Sequence, residues 1–224
     1  MKKLLITSVV LSAVVTSFAQ GYINYGNTTG TIVTTNSIVN YLGTQVNAAG
    51  VTGNASASGV APQGFYYALL VQSYSGTTAG NAITSLSAEG WSFGGIYATN
   101  SLSSGRFTGG TDVGVSGTTA GGNYQFVVVG FSANETTDGA DWAQILNSLT
   151  TGSWLNQSGV VGISSVGVVN SIAGAPPSTS STLFGVAPGI VAPFVLDSVA
   201  VPEPGTLALA ALGGASLLMF RRKK

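Results

Sequence analysis

The sequence predicts an all-β protein: a single β-sandwich-like domain with one short inserted helix, flanked by a cleaved leader and a C-terminal transmembrane helix. Three observations carry this. Short runs rich in aromatic and β-branched residues alternate with clusters of Gly, Asn, Ser and Thr, as in sandwiches and barrels. One stretch of the body shows apolar residues at helical spacing. Both ends of the chain carry uncharged aliphatic runs next to basic residues.

Of the 224 residues 6% are charged, against about 25% in an ordinary soluble domain. With 32 Gly, 27 Ser and 24 Thr, the chain meets water through hydroxyls and amides rather than ions. There is no His and no Cys. That excludes His-based triads, Cys nucleophiles, thiolate zinc sites, His-ligated haem and disulfides. The formal charge of zero hides a segregation. Lys2 and Lys3 stand at the start, Arg221, Arg222, Lys223 and Lys224 at the end, and Arg106 alone between them. Every acidic residue (Glu89, Asp112, Glu135, Asp138, Asp141, Asp197 and Glu203) is internal. A weakly acidic body with one Arg lacks the electrostatic footprint of a nucleic-acid partner.

Met1-Lys2-Lys3 is a short basic region, and Leu4–Val15 is apolar, broken only by Thr and Ser. Ser17-Phe18-Ala19 places small residues at the −3 and −1 positions that signal peptidase reads. Twelve apolar residues are too few for a permanent span. Residues 1–19 therefore read as a signal peptide cut between Ala19 and Gln20, which puts the mature chain outside the cytoplasm without disulfides.

Residues 20–198 form the expected extracytoplasmic β-rich domain. Phe65–Tyr74 is apolar on both alternating faces, the pattern of a central strand covered on both sides. Trp91, Phe93 and Tyr97 fall on one face of a second run. Tyr124–Phe131 is the strongest strand signal. Thr31–Val39, Val160–Val169 and Ile190–Leu196 are weaker, and Pro193 places the last at an edge. Trp142, Ile145, Leu146 and Leu149 make the single helical stripe, with Asp138 as its cap, Asp141 in the first turn and Gly152 as its stop. Gly174–Thr182 is a flexible connector. Ser75–Gly80 and Ser116–Gly121 share the hexapeptide Ser-Gly-Thr-Thr-Ala-Gly. One copy follows a strand and the other precedes one, which points to shared turn chemistry rather than a structural repeat.

Residues 199–206 form an extended stalk, in which Pro202 and Pro204 fix backbone φ and stop a helix from continuing upward. Residues 207–220 carry no charge and rise about 21 Å as a helix, short of the ~30 Å hydrocarbon core. Residues 221–224 (Arg221, Arg222, Lys223 and Lys224) act as a stop-transfer tail that stays in the cytoplasm. A span this short suits a temporary hold in the inner membrane.

Val201-Pro202-Glu203-Pro204, a short apolar helix and an Arg-rich end together resemble the PEP-CTERM sorting signal of exopolysaccharide-producing Gram-negative bacteria. The resemblance covers Val201–Lys224. It implies exosortase as the processing partner, Pro202, Glu203 and Pro204 as the recognition residues, and a destination at the cell surface or outside. Without the tripeptide, the same segment would read as a plain tail anchor.

The body offers few candidates for chemistry. Glu135, Asp138 and Asp141 lie within seven residues, a spacing open to acid/base work or Ca²⁺ binding. The order of a calcium loop is missing, and helix capping with a solvated loop accounts for two of the three. No nucleophile elbow, Walker loop or dinucleotide fingerprint is present, so no cofactor is expected. Trp91, Trp142 and Trp154 are candidates for a sugar-stacking platform or for the core. Arg106 is expected at the surface near Asp112. Asn27, Asn54, Asn134 and Asn156 begin Asn-x-Ser/Thr tripeptides, and the Ser/Thr density suits O-glycosylation. The leading expectation is a non-enzymatic, structural or adhesive envelope or matrix protein associated with exopolysaccharide. The alternatives are a carbohydrate-binding module and a weak hydrolase using the Glu135/Asp138/Asp141 cluster.

Overall fold

The computed structural model of the chain describes residues 20–36, 46–47, 64–101, 103, 105–137, 139–155 and 159–199. The leader, the sorting segment, Asp138, Asn54 and Asn156 lie outside the described residues.

Among the described residues eleven strands occur in chain order: β1 (Gly21–Gly26), β2 (Val33–Asn36), β3 (Val46–Asn47), β4 (Phe65–Ser73), β5 (Ser92–Asn100), β6 (Phe107–Val115), β7 (Tyr124–Ser132), β8 (Val160–Ile163), β9 (Gly167–Val169), β10 (Ser181–Thr182) and β11 (Phe194–Ser198). Helix α1 (Trp142–Thr151) lies between β7 and β8. All the strands belong to one sheet of order β10-β1-β6-β5-β4-β7-β8-β11-β2-β3, and β9 pairs with β7 beside β8.

The antiparallel pair β4–β7 is the backbone of the fold, in register from Phe65↔Ser132 to Ser73↔Tyr124. Every residue of β7 is buried, as are the first seven of β4. Because side chains alternate across a strand, these two strands feed two separate cores. Tyr67, Leu69, Val71, Phe126 and Val128 enter one, and Tyr66, Ala68, Leu70, Val127, Val129 and Phe131 enter the other. The doubly apolar pattern of Phe65–Tyr74 has this cause.

The cores are closed by different means, and here the sandwich expectation is corrected. The inner face is covered by the sheet's own curl, which brings Ile23 and Tyr25 of β1, Phe107 of β6, Val160 of β8 and Leu196 of β11 into one cluster. No second sheet is needed. Two register shifts between β1 and β6 insert extra residues into β6, and such bulges bend a strand and increase its twist. The outer face is covered by Trp142, Ile145 and Leu149 of α1 together with Leu86 and Trp91.

The helix forms on the expected stripe, but its cap differs. Asp141 is the N-cap, and its Oδ1 accepts from the N–H groups of Ala143 (2.9 Å) and Gln144 (3.2 Å). Gly152 ends the helix in the left-handed region at φ 70°, where a side chain would be strained. The run Val160–Val169 is two strands rather than one. Between them Ser164 N–H donates to Val128 O and Ser164 Oγ accepts from Val128 N–H, both at 2.9 Å, so the side chain completes the ladder of β7 where the backbone leaves it. The run Ile190–Leu196 joins the sheet as a strand only from Phe194 and continues to Ser198, while Ile190 makes a separate bridge, donating to Leu183 O and accepting from Gly185 N–H. It is not an edge, since β11 lies between β8 and β2. Pro193 precedes the paired stretch, where its missing N–H costs no ladder bond.

The two hexapeptides flank the same end of β4–β7, one following Ser73 and the other preceding its partner Tyr124. Gly76 and Gly117, equivalent in the two copies, both take positive φ (99° and 80°), the shared turn chemistry the sequence predicts.

Candidate functional site

The acidic cluster does not gather into one site among the described residues. Asp141 uses its carboxylate on the helix cap. Glu135, in a 3₁₀ turn directly after β7, is fully buried instead of solvated, and its Oε2 accepts from Leu155 N–H at 3.1 Å. No three acidic groups stand together as a cation cage among the described residues.

The tryptophans divide in favour of the core. Trp91 is 7% exposed and donates from Nε1 to Gly80 O at 2.6 Å; Trp142 is 9% exposed and heads the helix under Tyr97. Trp154 is half-buried against the same outer core. Two of the three are therefore spent on packing rather than presented to solvent. The inner tyrosines are equally committed. Tyr25 donates from its hydroxyl to Tyr67 O at 2.7 Å. Burial pushes the hydroxyls of Tyr25 and Tyr67 well above the ordinary tyrosine range. Burial also raises Tyr97, opposed by the hydrogen bond from Trp142 N–H.

Asn27 is no glycan acceptor in this fold. Its side chain is buried at the end of β1, where Nδ2 donates to Thr31 O (2.8 Å) and Gly105 O (2.9 Å) and Oδ1 accepts from Phe107 N–H (2.7 Å). It fastens the end of β1 to the start of β6, a role that the tripeptide pattern gave no means of finding. Arg106 lies beside it, half-buried, with Nε–H donating to Asn27 O at 2.9 Å. Asp112 does not pair with it: that carboxylate accepts from Ser180 Oγ instead.

The expected sorting residues require a different description, because what the structure supplies is their base. β11 pairs on one side with β2, from Phe194↔Val33 to Asp197↔Asn36, and on the other with β8. One residue further, Val199 is 3% exposed, and its N–H donates to Gly159 O at 3.0 Å. The folded body is thus anchored up to its last described residue by an interior strand. The model for the PEP-CTERM protein-sorting motif matches residues 200–223, starting at the next position. The chain carries a PEP-CTERM sorting motif. Neither the curated proteins nor the solved structures compared with it give a match.

The PEP-CTERM motif makes this an exported protein handled by exosortase and directed to the envelope or surface of a Gram-negative bacterium. Pro202, Glu203, Pro204, Arg221, Arg222 and Lys223 fall within the matched segment, and Lys224 is just beyond it. All seven, like Ala19 at the leader junction, lie outside the described residues; Gln20 opens the described body, immediately before β1. Among the described residues no helix is long and apolar enough to cross a membrane.

Proposed function

We propose that the body from Gln20 to the stalk is a structural or adhesive component of an exopolysaccharide-containing matrix, exported by its leader and released from the inner membrane by exosortase. The observation that carries this reading is the PEP-CTERM motif beginning at the residue after buried Val199, which directly follows β11. Tail removal at the stalk would leave every described strand in place. The helix cap made by Asp141 and the burial of Glu135 support a role without catalysis, since both acids already serve the fold.

In this reading the basic tail cannot cross easily, because each Lys or Arg costs several kcal/mol at the bilayer centre. The chain then stalls with Leu207–Phe220 in the membrane and Pro202-Glu203-Pro204 at the outer surface. Replacing those three residues with Ala should leave export intact and cause full-length protein to accumulate in the inner membrane. Wild type should lose its tail, cofractionate with matrix polysaccharide, begin at Gln20 and focus near pH 4, as expected of carboxylates almost unopposed by bases. A triple-Ala chain trimmed and released like wild type would end the exosortase reading.

A further inference from the structure

We propose that a cleft where the end of β1 meets the start of β6, bordered by Arg106, binds a carboxylate of an acidic, uronate-type sugar. The proposal takes the source of its ligand from the matrix reading above.

Arg106 is the only basic residue between Lys3 and Arg221, and its side chain is mounted rather than loose. Nε–H is held by Asn27 O at 2.9 Å, and Asn27 is itself fixed by its three side-chain bonds. Of the five guanidinium N–H donors, this bond uses one. Among the described residues no carboxylate pairs with the rest, and the plausible partner Asp112 is engaged by Ser180. The cation borders an open cleft of about 330 Å³ whose other lining includes Asn24, Thr28, Ser101, Thr108 and Thr111.

The cleft has a backbone origin. The β5–β6 ladder is confined to Thr99↔Thr108 and Asn100↔Phe107. Beyond it β6 bulges twice against β1, with Gly110 at φ 114° and Asp112 at φ 54°. Aspartate tolerates that region better than most non-glycine residues. Asp112 is held there by its N–H donating to Asn24 Oδ1 at 3.3 Å and by its carboxylate accepting from Ser180.

The chemistry selects the ligand. One guanidinium with a free fork matches one carboxylate in two parallel hydrogen bonds. The surrounding hydroxyls and amides suit sugar hydroxyls. A phosphate cluster or densely sulfated polymer would require several cations, and the cleft offers one. A single site of this kind binds weakly and salt-sensitively, and gains its hold from repetition of sites along a polymer.

The test is calorimetric titration of the full chain in detergent with a galacturonate trisaccharide at low and high salt. Wild type should bind at low salt and lose affinity at high salt, and the carboxyl-reduced trisaccharide should not bind. Arg106→Gln should weaken binding by about tenfold or more. Should that variant misfold through loss of its bond to Asn27, exposed Thr111→Glu decides the matter: it adds a carboxylate to the lining of the same cleft and should weaken binding at an unchanged melting temperature. No wild-type binding, equal binding of the reduced sugar, or wild-type affinity in a folded variant would overturn the proposal. Matrix cofractionation of the same chains separates the two readings. Cofractionation without galacturonate binding sinks the cleft alone, whereas binding without cofractionation sustains the cleft and sinks the matrix role.

Discussion

The two faces of β4–β7 are buried to a similar depth by different kinds of covering. On the inner face, Phe107 stacks on Tyr67 at 4.3 Å and meets Tyr25 and Phe184 edge-on at 5.7 and 5.4 Å. Those four rings come from β1, β4, β6 and the segment after β10, so none is near another in sequence. On the outer face, Trp142 stacks on Phe93 at 6.3 Å and Tyr97 meets Phe131 edge-on at 6.5 Å. There the cover is a ten-residue helix with its own cap and stop, joined by Leu86 and Trp91 from the segment before β5. The inner core exists only when the whole sheet has curled, whereas the outer cover is a local element docked onto a finished surface. Loss of an inner contact should therefore be felt globally, and loss of an outer one mainly by the helix.

The largest effect should come from alkali. Tyr25 and Tyr67 have hydroxyl pKa values raised by burial. Their contribution to stability is complete below the unfolded tyrosine value of about 10, and it falls as pH rises from there toward the folded values. Tyrosinate absorbance should appear together with loss of β-sheet circular dichroism; ionisation of these two tyrosines in a still-folded chain would break the account of the inner face. Phe107→Ala comes next, removing the ring that three others touch, at a cost of about 3–5 kcal/mol in denaturant unfolding. A smaller loss would mean that the curled sheet can collapse onto the gap. Ile145→Ala on the fully buried side of α1 should cost about 2–3 kcal/mol. Hydrogen exchange should speed in α1 more than in β4 and β7, and uniform acceleration would show that the two faces are one cooperative unit. The smallest effect is Asp141→Ala, about 1 kcal/mol from the lost N-cap, while Asp141→Asn should retain most of the cap in the same melting experiment.

Legibility followed locality. Phe65–Tyr74 and Tyr124–Phe131 were visible as strands because continuous apolar runs report burial on both sides. The stripe Trp142/Ile145/Leu146/Leu149 was visible because helical spacing is a short-range property. β1 and β6 were not. Gly-Tyr-Ile-Asn-Tyr-Gly shows little apolar character, and Phe107–Val115 is interrupted by Gly109, Gly110 and Gly114 just where it bulges. Pro193 suggested an edge for β11, since a sequence cannot show that the proline falls one residue short of the ladder. The capping duty passed from Asp138 to Asp141 because the first helical turn begins at Trp142, a boundary that two nearby acids leave ambiguous.

By itself the sequence determined the strand-rich class, the helical stripe from Trp142 to Leu149, the absence of cysteine and histidine chemistry, and the PEP-CTERM motif at residues 200–223. These are read from composition, short-range spacing or linear order, which need no partner from elsewhere in the chain. Only the tertiary structure decided that one curled sheet replaces two, that β11 is interior, that Asn27 is a fastener, and that Arg106 is mounted without a carboxylate among the described residues. Each of those depends on which distant segments meet, and that is set by strand order, bulges and register rather than by any residue's own neighbours in sequence.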